Sequence, residues 1–449
     1  MKLKNKLFIS ALMIGLGVTG YAKTGDKVEI SAPFEAKVVT DGLEAPWAMS
    51  VAPDRNLWIT EREGKHIAKI NPETGEYKRL YTVENAFVGP QHEGVLGLAF
   101  GPNFMSKKGN AKNEIYFAYT YKDKEGTEFA RISRLTYDLK SDNLKDEKVI
   151  LDKLPASNDH NSGRLVLGPD NKLYYTIGDQ GGNQGANKDK PILSQILPTK
   201  EEVAKKDYKN YPGSTLRINL DGSIPKDNPV INGVVSHVYT YGHRNAQGLA
   251  FVGKNLYSNE HGPSSDDEIN LLVPGGNYGW PNIAGYQDDQ AYEYVNNSEG
   301  GKVYKETEFK AENLQDPVKT FFTVRKNHSF KDEAYGNLNY IGWPTIAPSS
   351  LAYYPKDGKI AAFRNSLLVS SLKNGALYIV RLNSDGTQAQ GDVSKMFKTN
   401  NRYRMVVVSP DTSKLYIATD KSGNVMGVDG LPTSELQNKG AIIEVEYKK

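Results

Sequence analysis

The chain has 449 residues, with Lys+Arg 56 against Asp+Glu 53, 42 glycines and no cysteine. The absence of thiols excludes disulfides, thiolate nucleophiles, zinc–thiolate centres and iron–sulfur clusters together. So even a charge excludes a bulk basic field for nucleic acid. After the first apolar stretch, nothing approaches the roughly 18 uninterrupted apolar residues of a membrane span.

The first predicted element is a leader. Lys2, Lys4 and Lys6 precede an apolar run over residues 7–20, and Gly20 and Ala22 place small residues at the −3 and −1 positions of a cut after Ala22. Basic, apolar, small is the order of a secretory signal peptide. Residues 1–22 are therefore predicted to be removed, leaving 23–449 as one periplasmic or secreted domain. A retained anchor is the alternative reading, though the apolar run is short for a span. The leader takes three lysines and no acid with it, which leaves Lys+Arg and Asp+Glu even at 53 each. An exported chain without disulfides must be held by its core, and this one is long enough to bury one.

One theme then recurs: an apolar strand, a turn on Pro-Asp or a relative, and a strand rich in Tyr, Leu and Ile. It occupies residues 48–60 (AMSVAPDRNLWIT), 98–103 with 114–119, 165–177 (LVLGPDNKLYYTI), 248–257, 351–358 with 366–370, and 405–418 (MVVVSPDTSKLYIA). Each copy reads as an antiparallel hairpin. Six such units predict an all-β, six-bladed β-propeller, in which closure removes exposed edges. A pair of β-sandwiches is the alternative, but it predicts no fixed turn motif. Uneven spacing between copies implies long loops, expected on the active-site face. Residues 200–210, polar and lysine-rich, read as a loop or one short helix.

Chemistry-bearing clusters stand at the ends of these strands. Asp159-His160 lies before the third copy; Asp179 and Gln184 lie in the glycine-rich loop after it. A histidine beside a carboxylate can serve as a general base, but a structural histidine reads equally from the pair alone. Arg244, Lys373, Arg402 and Arg404 stand at strand ends that can converge on a central channel, where they would cradle carboxylates or phosphates. Scattered surface charge is the other reading. The segment His261-Gly262-Pro263 followed by Asp266-Asp267-Glu268, and the glycine-rich run beyond it, offer hard oxygen ligands of the calcium type without an EF-hand pattern. A solvated acidic loop would look the same.

Taken together, the strings SGRLVLGPD (162–170), YYTIGDQG (174–181), NLDGSIPKDNP (219–229), SDDEIN (265–270), GGNYGWPN (275–282) and WPTIAPSS (343–350) resemble the soluble quinoprotein glucose dehydrogenases. These enzymes use pyrroloquinoline quinone (PQQ) and calcium. The resemblance runs over nearly the whole chain after the leader. It implies oxidation of an aldose to a lactone by hydride transfer to PQQ, with electrons passed on to an unidentified acceptor.

The resemblance also implies residue roles. His160 would be the base, with Asp159 beside it, and Arg244 would steady charge at the reacting centre. Arg244, Asn245, Thr345, Lys373, Arg402 and Arg404 would hold PQQ. His92, Asp159, Gln184, Tyr340 and Trp343 would face the sugar. About three calcium ions per chain are implied. One would lie on PQQ, held by the carbonyls of Gly262 and Pro263. The others would be structural, held through Glu268, Tyr278, Ala284, Tyr286, Asp288 and Glu306, and could cement a homodimer contact.

There are departures from the family pattern. His92, or Gln91 with a gap, stands where the family has a substrate glutamine. Gly342 stands where well-known members have a cysteine, so the Trp343 loop must be ordered by calcium and packing. Two rivals stay in view. A calcium-bearing lactonase propeller would not need the cationic clamp, and a non-enzymatic binding propeller would not need the Asp-His pair.

Overall fold

Each of the six recurring segments folds as the first two strands of a four-stranded antiparallel sheet. The computed structural model describes residues 27–28, 30, 33–106, 112–331 and 338–448; the predicted leader lies outside them. Blade I comprises Pro46–Val51, Leu57–Glu61, His66–Ile70 and Tyr77–Thr82; blade II comprises Val95–Phe100, Glu114–Lys122, Glu128–Asp138 and Asn143–Pro155. Blade III uses Leu165–Leu167, Leu173–Ile177, Ser214–Ile218 and Val238–Tyr241; blade IV uses Ala246–Val252, Asn255–Glu260, Asp267–Leu272 and Lys319–Phe321. Blade V uses Pro348–Tyr354, Ser366–Ser371, Leu377–Arg381 and Ser394–Met396. Blade VI joins Tyr403–Val408, Lys414–Thr419 and Ile442–Tyr447 to the early strand Phe34–Thr40.

The first strands of successive blades pack against one another, and that of blade VI packs on blade I. The sheets therefore ring one axis as a six-bladed propeller. Second strands are covered on both faces by neighbouring blades, so Leu57–Glu61, Leu173–Ile177 and Ser366–Ser371 are buried throughout rather than alternating. The core is accordingly divided into layers between blades. Trp58, Phe117 and Tyr119 fill one such layer, and Tyr257, Val369 and Tyr378 another. Blade VI closes the ring by pairing the two ends of the described chain, with Phe34 opposite Tyr447 and Val38 opposite Ile443.

This topology fixes where the site can be. In an antiparallel hairpin the start of the first strand and the end of the second lie at the same end. The Pro-Asp turns fall at the opposite end, which leaves residues before first strands and after second strands together at one mouth. The connections 178–213 and 420–441, and the described stretches 322–331 and 338–347, open onto that mouth. Two α-helices occur among the described residues, Asn339–Gly342 and Lys200–Lys205, the latter begun by a Thr199–Glu202 capping box.

Near the mouth, most first strands carry one extra residue. In blade I the pairing steps from Pro46 to Ala48 while the partner steps only from Glu61 to Thr60. Equivalent steps skip Gln247, Ser349 and Arg404. In blade III, Gly163 donates to Thr176 O (2.9 Å) and Leu165 pairs with Tyr175, which puts Arg164 in the same place. A bulge bends the strand and re-aims its side chain.

Candidate active site

Thirteen predicted residues meet in one cavity of about 310 Å³ at the mouth: His92, Asp159, His160, Arg244, Asn245, Gly262, Pro263, Tyr340, Trp343, Thr345, Lys373, Arg402 and Arg404. Gln184 stands beside it, bonded to Asp159 Oδ2 (3.0 Å) and to Arg244 Nη2 (2.9 Å).

His160 is buried, and its Nδ1 lies 2.7 Å from Asp179 Oδ1. A carboxylate only accepts, so the ring proton sits on Nδ1 and leaves the Nε2 lone pair free to act as a base. The Gln184 amide nitrogen approaches that Nε2 at 3.1 Å. Asp179 is itself held by Trp280 Nε1 (2.8 Å) and by Gly181 N–H (2.9 Å). The expectation that Asp159 orients the ring is corrected here. Its Oδ1 accepts the His160 backbone N–H (2.9 Å) and lies 3.7 Å from Nε2, because adjacent side chains diverge. The acid nineteen residues on reaches Nδ1 instead. Gly178 permits this approach, since a Cβ there would lie 1.9 Å from His160 O.

His92, rather than the exposed Gln91, lines the cavity. Its Nδ1 accepts the His160 N–H (2.8 Å) and its ring stacks on His160 with 6.1 Å between centroids. Burial pushes the His92 pKa down to about 4, so the ring is neutral and its proton sits on Nε2. Burial opposes ionisation of Asp159, but the Gln184 amide and the Arg244 charge favour it, and the carboxyl lies below its ordinary value.

The opposite wall is cationic. Arg404 grips Asp420 with Nε (2.8 Å) and Nη2 (2.9 Å), and its Nη1 donates to Gln247 Oε1 (2.8 Å). Arg402 shares the same carboxylate (3.3 Å), so one acid serves two guanidinium groups. Among the described residues Lys373 has no acid in contact; its ammonium donates to Tyr340 O (3.2 Å), Trp343 O and Thr345 Oγ1. Burial drives its pKa down to about 8. The same bonds answer how the Trp343 loop is held without a disulfide: Lys373 ties its carbonyls, and Trp343 Nε1 donates to Phe330 O (2.8 Å).

Arg244 bridges the two walls. Its backbone N–H donates to Glu260 (2.8 Å), and its side chain to His261 O (3.2 Å). Asp267 joins the Gly262 N–H (2.8 Å) to the Ala347 N–H (2.8 Å), bracing two stretches of the cavity rim.

The remaining predicted metal residues lie beside the cavity. Glu306 accepts from the N–H groups of Ala284 (3.0 Å) and Asp289 (2.9 Å), and Glu268 from Gly285 (2.6 Å). Asp288 and the half-exposed Tyr286 belong to the same loop. Tyr278 is buried, with its hydroxyl on Leu271 O (2.5 Å). Among the described residues no three His, Cys, Asp or Glu side chains gather as a metal centre.

Asp179, Asp420, Gln247, His261 and Arg164 were not assigned roles from sequence. A signal existed for the two acids. Each follows the second strand of its blade, as Glu61 and Glu260 end theirs, so lining up the repeats exposes a recurrent acid at the mouth.

The fold and the cavity define a propeller that places a buried histidine opposite a cluster of cationic side chains. The family model described as Glucose / Sorbosone dehydrogenase matches residues 43–324 and 323–427. The chain is 46% identical over 446 residues to quinoprotein glucose dehydrogenase B of Acinetobacter calcoaceticus, across 93% of this chain and 92% of that one. It is 26% identical over 405 residues to aldose sugar dehydrogenase YliI of Escherichia coli (strain K12), across 87% and 91%. The PQQ-bound aldose sugar dehydrogenase of Streptomyces coelicolor superposes with a TM-score of 0.64 at 26% identity, covering 93% of this chain and 99% of that chain. The chain belongs to the glucose/sorbosone dehydrogenase family and is an oxidoreductase.

Proposed function

We propose that the chain is an exported, PQQ- and calcium-dependent aldose dehydrogenase with His160 as its general base. The observation that carries this reading is the pairing of an unprotonated His160 Nε2, approached by the Gln184 amide, with a wall of buried cations in one cavity. The cavity fits a polar, polyanionic cofactor: among the described residues, Arg244 Nε, Asn245 Nδ2 and His261 Nε2 are buried without a partner. Among the described residues Lys373 likewise has no carboxylate in contact. Unpaired buried donors are costly unless a ligand completes them.

When bound, PQQ would accept a hydride from the anomeric carbon, so that an aldose leaves as its lactone. His160 Nε2 takes the proton of the anomeric hydroxyl, and Asp179 stabilises the imidazolium that results. Gln184 and Asp159 orient the sugar across from Arg244, with His92, Tyr340 and Trp343 completing the rim. Arg244 holds positive charge where negative charge develops. Lys373, Arg402, Arg404, Thr345 and Asn245 hold the cofactor carboxylates and carbonyls.

Calcium fits the donor set. Asp266, Glu268 and Glu306 are buried acids, and among the described residues none is ion-paired with Lys or Arg. Burial raises the pKa of Glu306 to about 7 and that of Glu268 well above the ordinary range. A hard cation satisfies such carboxylates, with backbone oxygens supplying the rest of each site. Gly262 and Pro263 would hold the ion on PQQ. Among the described residues no helix is long and apolar enough to cross a membrane.

The test is a titration of purified protein with PQQ and calcium, followed by a sugar panel with an artificial electron acceptor. Bleaching of the oxidised cofactor spectrum on adding an aldose is expected. Binding without reduction, or hydrolysis of lactones alone, would overturn the reading.

A further inference from the structure

Beneath the cavity, Arg164 crosses the propeller axis. It is 3% exposed. Its Nε donates to Gln247 O (2.7 Å), its Nη2 to Ser349 O (3.1 Å) and its Nη1 to Met405 Sδ (3.0 Å), while its guanidinium lies 4.2 Å from the Trp47 ring centroid. One side chain from blade III thus reaches blades I, IV, V and VI. Trp47, Gln247 and Ser349 are the extra residues of their strands, and Met405 follows the extra residue Arg404. Arg164 therefore pins the places where the inner strands bend toward the mouth.

Two consequences follow from these partners. The Gln247 carbonyl is fixed by Arg164 while the Gln247 amide holds Arg404, so the clamp is seated on Arg164 through one intermediate residue. Further, two carbonyls and a thioether sulfur carry no formal charge. The one charged neighbour acting on Arg164 is the like-charged Arg404, which together with burial lowers its pKa to about 9. A hub needed only for packing gains nothing from such a charge, because burying an unpaired cation is unfavourable and neutral side chains of similar size pack as well.

We propose that Arg164 is a positioning residue of the anion site, fixing Gln247 and Arg404 from below and contributing a positive charge that the bound polycarboxylate cofactor balances. This rests on the PQQ reading above. The test uses Arg164→Met, which keeps bulk and loses charge, and Arg164→Lys, which keeps charge and loses the fork. PQQ binding to the cofactor-free full-length protein is titrated by tryptophan fluorescence at low and high salt, and melting temperature is read with and without PQQ.

Arg164→Met should weaken PQQ by about ten- to a hundred-fold, the scale of one charge-assisted contact. Its affinity should also depend less on salt, and its cofactor-free melting temperature should fall less than that of the PQQ-loaded protein. Arg164→Lys should recover part of the affinity and the full salt dependence. Wild-type PQQ affinity in Arg164→Met, or equal loss with unchanged salt dependence in both variants, would overturn the proposal. Should Arg164→Met not fold, Arg164→Gln takes its place with the same expectations. If the wild type itself fails to bind PQQ, the cofactor reading falls separately. Citrate then serves as the polycarboxylate probe, and an equal citrate-induced rise in melting temperature in wild type and Arg164→Met would overturn the role of Arg164.

Discussion

On one wall of the cavity His92, Asp159, His160 and Asp179 stand within reach of one another; on the other, Arg402 and Arg404 share a single carboxylate, Asp420, and Lys373 is held by the Tyr340 and Trp343 carbonyls and Thr345 Oγ1. The first group is built so that a proton can move. Its two histidines are linked by the His92 Nδ1 contact to the His160 N–H, and Asp179 fixes which nitrogen of His160 is bare. The second group is built so that charge stays in place, with guanidinium groups that do not deprotonate in practice. On the proposed function, turnover and cofactor retention would be carried by separate sets of residues and should fail separately.

The largest effect expected is on the proton-moving wall. His160→Ala should lower turnover by about 10⁴-fold, the upper end of the range for acid–base groups, with PQQ titration unchanged. Equal loss of PQQ binding would erase the distinction between the walls. Asp179→Asn should cost about a hundredfold in turnover. An amide donating to Nδ1 would favour the wrong tautomer, and the pH profile of turnover should change with it.

The cationic wall should respond in affinity. Arg404→Ala removes a charge-assisted contact of about 1.5–3 kcal/mol, hence roughly ten- to a hundred-fold in PQQ dissociation constant at about 1.4 kcal/mol per decade. Turnover of the saturated variant should stay close to wild type. Lys373 adds a pH dependence with a definite sign. Its pKa in the free protein is about 8, and a bound anion must raise it. PQQ binding should therefore be strongest below that pH, weaken by up to about tenfold per unit above it, and take up a proton there. Calorimetry in buffers of different ionisation enthalpy reads that proton.

The smallest effect tests a third region, the loop over residues 284–306. Chelation should remove activity and lower the melting temperature, since an ion bound only to the folded state adds about 2.7 kcal/mol at a hundredfold excess over its dissociation constant. Asp288→Asn should lower the melting temperature by a few degrees and leave PQQ-dependent turnover largely intact. Loss of PQQ binding with unchanged melting would assign this loop to the cofactor instead.

The blades were legible because burial imposes the same demand six times: each inner hairpin needs apolar strands around a tight turn, and Pro-Asp or a related turn marks the copies. The cations were legible as strand-end residues. What stayed hidden depends on distance in space. Asp179 reads as a turn residue until the loop folds it under His160, and Asp420 looks like any acid after a strand until two arginines close on it. Arg164 stands one residue before the third copy and reads as part of its flanking segment, because no local pattern says that the inner strand carries an extra position there. The family's glutamine position could be filled by His92 or, with a gap, by Gln91, and the fold, which puts His92 in the cavity against His160, decides between them.

The pairing of Phe34–Thr40 with Ile442–Tyr447 has a consequence for biogenesis. The early strand Phe34–Thr40 is hydrogen-bonded to the late strand Ile442–Tyr447, so blade VI cannot close until the latter has been made. Arg402, Arg404 and Asp420 belong to that blade, and the cofactor clamp is therefore assembled at the final moment of folding. A chain crossing a membrane in extended form would hold PQQ only after emerging whole, and a product truncated before Ile442 would fail to retain it even with His160 and its partners intact.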